Sequence, residues 1–126
     1  MRAVATDWSL DLSGAWRLRD GQGEYDLSID LPDDVISALH EAELIPDPYW
    51  GRNEYDLRWI AEREWIVSRT VDLASPDVSL YLAGLDTVTE VRVNGQLVLE
   101  TQNAHRRYSV DLSTVAVSGE NAIEIR

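Results

Sequence analysis

Two carboxylate pairs stand close enough in the chain to share acid–base work: Asp33 with Asp34, and Glu62 with Glu64. Such chemistry needs one carboxyl held protonated by its surroundings and the other left ionised. Asp33 and Asp34 follow Pro32 and open a helical pattern, where capping and the helix dipole already account for adjacent acids. Glu62 and Glu64 fall two apart on a predicted strand and share its face, beside Arg63 and Arg69, which reads as a solvated surface. The two imidazoles, His40 and His105, have no ligand spacing between them, so no metal is expected. Gly21-Gln-Gly23 lacks the third glycine and the following helix of a dinucleotide site, and no Gly-x-Ser-x-Gly occurs, so neither a cofactor nor an activated serine is expected.

A different chemistry is written between Leu44 and Ile60, a run with prolines at 46 and 48 and aromatics at Tyr49, Trp50, Tyr55 and Trp59. Each proline biases the residue before it toward extended geometry, so the run continues no helix and suits no central strand. Tyr49, Trp50, Arg52, Asn53, Glu54 and Trp59 are the candidate functional residues. Their rings offer faces on which a sugar can stack, and their polar groups offer the means to orient it. The same mixture of aromatics and arginine is enriched at interfaces between domains. Interface packing, a wall of a substrate cleft and simple core filling are the three readings of this run.

Around it the chain alternates with period two. Strands are expected at about 14–19, 24–31, 62–72, 77–83, 88–94, 96–100, 106–112 and 121–126. Asn94-Gly95 is a strong hairpin signal because both residues tolerate positive φ. Gly21-Gln-Gly23 and Ser118-Gly119-Glu120-Asn121 mark two further turns. One short helix is expected at about 34–43, begun by Asp33 and ended before Pro46, with Val35, Ala38, Leu39 and Ala42 on one face. Trp16 and Trp65 alternate with polar neighbours and should be core or edge-covering residues. The expected fold is all-β: an antiparallel β-sandwich of jelly-roll type with one helix-bearing excursion.

A chain of 126 residues is one domain's worth, and 11 basic against 23 acidic side chains leave a net charge of −12. Phosphate backbones and anionic lipid are therefore poor partners, so neither nucleic acid nor membrane is expected. No cysteine is present, and Met1 to Trp8 lacks the apolar core of a signal peptide, so the expected compartment is the cytoplasm. Asn121-Ala-Ile-Glu-Ile-Arg126 alternates like a strand and then stops. The expectation is a single domain over residues 1–126, cut near its C-terminal end, whose open edge would pair copies into a dimer.

Four segments, Leu12-Ser-Gly-Ala-Trp-Arg-Leu18, the proline and aromatic run, Gly84-Leu-Asp-Thr-Val88 leading to Val91-Arg-Val-Asn-Gly95, and His105-Arg-Arg-Tyr-Ser-Val-Asp-Leu112, carry a family likeness. Together they resemble the N-terminal, sugar-binding-like domain of β-mannosidases, glycoside hydrolases of the clan that also holds β-galactosidases and β-glucuronidases. Ile36, in Pro32-Asp-Asp-Val-Ile36, departs from the family's usual histidine. The resemblance implies a galactose-binding-like fold followed by an immunoglobulin-like domain and a catalytic barrel that carries the reacting glutamates. It implies an exo-acting parent that removes terminal β-mannose with retention, and a fragment that is inactive alone. The partners implied are the rest of the same chain and a mannose-containing oligosaccharide. A free-standing carbohydrate-binding module is the alternative from another class.

Overall fold

A computed structural model of the chain describes residues 1–31, 34–46, 57–83, 89–101 and 107–126. In chain order they form β1 (Arg2–Val4), β2 (Ser9–Asp11), β3 (Gly14–Asp20), β4 (Asp26–Leu31), α1 (Val35–Glu41), α2 (Trp59–Glu62), β5 (Trp65–Leu73), β6 (Ser79–Ala83), β7 (Thr89–Val93), β8 (Gln96–Thr101), β9 (Arg107–Asp111) and β10 (Gly119–Ile125). They fall into two compact units: Met1–Ser13 with Ser68–Arg126, and Gly14–Val67.

In the first unit β2, β1, β6 and β9 lie side by side in that order, and the later residues of β5 are followed by β10, β7 and β8. Alternation dictates the inner faces. β7 buries Thr89, Val91 and Val93 while Glu90 and Arg92 turn outward, and β10 buries Asn121, Ile123 and Ile125. β7 and β10 run antiparallel with Val93 opposite Ile123 and Val91 opposite Ile125, so the apolar sets coincide. Ala3, Leu80 and Leu82 supply the buried face of the other sheet. Asn94 and Gly95 turn β7 into β8 with φ of 52° and 81°, as their types predict.

The second unit is built on the β3–β4 hairpin, where Trp16 faces Ile29 and Leu18 faces Leu27. Helix α1 starts at Asp34, whose carboxylate accepts from the backbone N–H of Ser37 at 2.7 Å. It ends with Glu43 N–H donating to His40 O and Leu44 N–H to Leu39 O, both at 3.0 Å, and with Glu43 at φ 59°. That is a Schellman ending with glutamate in the left-handed position that glycine usually fills. Leu39, fully buried, packs with Ile45, Leu57 and Ile60.

The all-β antiparallel architecture with one short helix matches the expectation; several local details do not. Among the described residues two strands were not expected, β1 and β2, closed into a tight hairpin by Ala5 N–H to Trp8 O at 2.8 Å. Three residues each are too few to display a period. Residues 62–64 are not strand: Trp59–Glu62 is a one-turn helix and β5 begins at Trp65. Glu62 and Glu64 therefore share no strand face. The cap of α1 is Asp34, with Asp33 outside the described residues, and Ala42 is the exposed C-cap, not part of the apolar face.

Candidate functional site

Of the six candidates, Trp59 is described; Tyr49, Trp50, Arg52, Asn53 and Glu54 lie outside the described residues, as do Arg106 and His105. Trp59 opens α2, the turn in which the aromatic run ends, and is half-buried. Its ring stacks on Tyr25 with centroids 5.6 Å apart and planes 19° from parallel, and it lies 6.4 Å from Trp65. Tyr25 and Trp65 are 5.9 Å apart, so the three rings form one group. The indole N–H of Trp65 donates to Ile60 O at 2.8 Å, which ties β5 back onto α2.

Arg63 stands over this group, its guanidinium carbon 4.6 Å from the Trp59 centroid and 5.7 Å from that of Tyr25. From there it reaches Asp20 at 3.2 Å and Glu24 at 2.9 Å. Asp20 is a buried carboxylate at the end of β3. It accepts from Tyr25 N–H at 2.7 Å and from Gln22 N–H at 3.3 Å, so it organises the turn that Gly21 and Gly23 were expected to make. Burial by itself would raise its carboxyl, but backbone N–H groups, those of Tyr25 and Gln22 foremost, together outweigh that and hold it below the ordinary carboxylate range. The hydrogen bond to Glu24 is the main reason the Arg63 guanidinium binds its proton more tightly than usual.

Close approach of backbone completes the arrangement. Gly21 N–H donates to Glu64 O at 2.9 Å, and a Cβ at Gly21 would stand 3.2 Å from the Cβ of Glu64. A side chain there would require Glu64 to give by a few tenths of an ångström. The assembly is thus an aromatic cage filled by the chain's own cation, anchored to a buried carboxylate. It ties α2 and the start of β5 to each other and to the turn after β3.

Sequence reasoning missed Arg63, Asp20, Glu24 and Tyr25 as parts of this site. Arg63 was assigned to a solvated strand face, and Asp20 lies 43 residues away from it. The available signal was a strand ending in an acid before a glycine turn, with arginine flanked by two aromatic residues at 59 and 65. Elsewhere, Trp16 is buried on β3 and Tyr108 donates to Thr101 Oγ1 at 2.8 Å, whereas Arg107 is exposed. Among the described residues no group of three His, Asp or Glu is placed to hold a metal ion.

A family model described as the glycosyl hydrolase 2 galactose-binding domain-like family matches residues 16–126. Over 123 residues the chain is 37% identical to a β-mannosidase of Bos taurus and 34% identical to one of Mus musculus. Each alignment covers 94% of this chain and 14% of the relative. Among solved structures, the β-D-mannosidase of Dictyoglomus thermophilum matches at TM-score 0.86 with 29% identity, covering 93% of this chain and 15% of that one. The exo-chitosanase of Amycolatopsis orientalis shares the fold at TM-score 0.79 with 14% identity, over 90% of this chain and 16% of that one.

Proposed function

The chain belongs to the glycosyl hydrolase 2 galactose-binding domain-like family, and from that premise we propose that it is the non-catalytic N-terminal domain of an exo-acting β-mannosidase. The observation that carries this reading is the similarity to β-mannosidases along 94% of the chain, which spans 14% of their length. The parent would hydrolyse terminal β-mannosides with retention, which requires two carboxyl groups about 5 Å apart on opposite sides of the scissile bond. In this reading both belong to a catalytic barrel elsewhere in the parent. The domain buttresses that barrel and walls one side of a short cleft.

The cage around Arg63 supports the mechanical half of the proposal. An interface segment holds its shape best when its stem is fixed before the partner arrives, because less ordering is then lost on docking. Trp59, stacked on Tyr25 and lying beneath Arg63, provides such a stem. Tyr49, Trp50, Arg52, Asn53 and Glu54 are the residues assigned to meet the neighbouring domain or the sugar.

Two measurements on the isolated chain test the reading. Incubated with an aryl β-mannoside, it is expected to release no more aglycone than a mock purification; turnover above that would place the chemistry here. Titrated calorimetrically with manno-oligosaccharides, it is expected to be silent. Millimolar or tighter binding would instead favour a free-standing carbohydrate-binding module.

A further inference from the structure

The chain contains one Asn-Gly step, Asn94-Gly95, at the tip of the β7–β8 hairpin. This is the dipeptide at which a backbone nitrogen most readily reaches the preceding side-chain carbonyl, since glycine has no Cβ to hinder the approach. Asn94 is exposed, so water reaches it. Its amide, however, is fully engaged. Nδ2 donates to Val115 O at 2.8 Å and to Asn121 Oδ1 at 3.0 Å, while Oδ1 accepts from Ala122 N–H at 2.9 Å. Its backbone N–H donates to Ala122 O at 2.8 Å, prolonging the β7–β10 ladder by one residue.

Asn121 makes the arrangement rigid. It is 1% exposed, accepts from Val117 N–H at 2.8 Å, and donates to Val117 O and Gly119 O, both at 2.9 Å. No polar atom of either amide lacks a partner, and every partner of the Asn94 amide lies in the segment 115–122.

We infer that Asn94 is a deamidation site held closed by the fold, opened when segment 115–122 separates from the hairpin, and unable to re-form the same bonds once it has reacted. In the reaction the Gly95 amide nitrogen loses its proton to base and bonds to Asn94 Cγ. The Cγ–Nδ2 bond breaks, and that nitrogen leaves as ammonia after taking up a proton. Water then adds to either carbonyl carbon of the cyclic imide and the ring C–N bond breaks, leaving an aspartyl or isoaspartyl residue. The cyclisation requires Cγ to turn toward Gly95, which the bonds to Val115, Asn121 and Ala122 oppose. After reaction an acceptor oxygen replaces the Nδ2 donor and faces two other acceptors, Val115 O and Asn121 Oδ1. A transient opening is thereby converted into a lasting one, independently of any role in sugar hydrolysis.

The test follows the peptide containing Asn94 by mass spectrometry, with the native chain and the chain in guanidinium chloride held side by side in mildly alkaline buffer. Native conversion is expected to be slower by roughly tenfold or more, because only the opened fraction reacts. Asn121→Ala, if circular dichroism shows it folded, should move the native rate toward the unfolded one. If it does not fold, denaturant concentrations below the unfolding transition supply the same graded opening. Equal rates in native and unfolded chains, or a native rate that ignores graded opening, would overturn the inference. Asn94→Asp should also melt below the parent chain, and an unchanged Tm would refute the loss of the bonded arrangement.

Discussion

Arg63 joins three interactions that a lysine could not reproduce together: a flat face over Trp59, a second contact with Tyr25, and hydrogen bonds to Asp20 and Glu24. Arg63→Ala is expected to lower Tm by several degrees, since it leaves the Asp20 carboxylate buried without its counter-charge. Arg63→Lys should recover part of that loss and no more. Thermal denaturation followed by tryptophan fluorescence measures both, and a lysine variant equal to the parent chain would show that the planar group contributes nothing. Legibility at this scale was uneven. Trp59 stood out as a ring that water would not tolerate, and Trp16 as a core residue, because hydrophobicity belongs to the residue itself. Arg63 looked like surface because its partners are supplied by the turn between β3 and β4, which no window around residue 63 contains.

The helix and strand ends carry their own tests. Asp34→Ala removes the side-chain cap of α1 and should cost about 1 kcal/mol in a urea titration. Glu43→Gly should stabilise by roughly 0.5–1 kcal/mol, because glycine adopts the left-handed conformation at φ 59° without a Cβ penalty. A second pair of ends repeats one device. Ser9-Leu-Asp-Leu-Ser13 closes β2 and Ser109-Val-Asp-Leu-Ser113 closes β9, and in each the aspartate accepts from the serine N–H two residues on, at 2.9 Å. Those backbone N–H groups, joined by the serine hydroxyls, are the principal cause that holds the Asp11 and Asp111 carboxyls below their ordinary range. A folded pKa below the unfolded one means stability that is complete above about pH 3.9 and lost as pH falls through the lower, folded value. Asp11→Asn with Asp111→Asn should flatten the acid limb of the urea-midpoint profile, and an unaltered limb would remove these turns from the acid response.

At the scale of the whole molecule a net charge of −12 opposes any contact between copies. Among the described residues β2 and β9 are the outermost strands of their sheet and β8 ends the other. Such strands offer unpaired N–H and C=O groups. We propose that the isolated chain self-associates through one of them once the repulsion is screened. Sedimentation across a salt series is expected to show association rising with added salt, and a monomer at every salt concentration would mean that these edges are covered.

The sequence by itself determined the features that neighbours along the chain decide between them: strand periodicity, the Asn94-Gly95 turn and a short capped helix, since period-two alternation and tolerance of positive φ are local properties. Only the tertiary structure decided that Arg63 fills an aromatic cage, that residues 62–64 lie outside β5 where a strand was expected to begin, and that Asn121 is buried against Asn94. Those outcomes depend on partners 43 and 27 residues away, for Asp20 with Arg63 and Asn94 with Asn121. The cause is physical: a buried polar group goes wherever its hydrogen bonds can be satisfied, and the folded chain alone brings those partners within 3 Å or so.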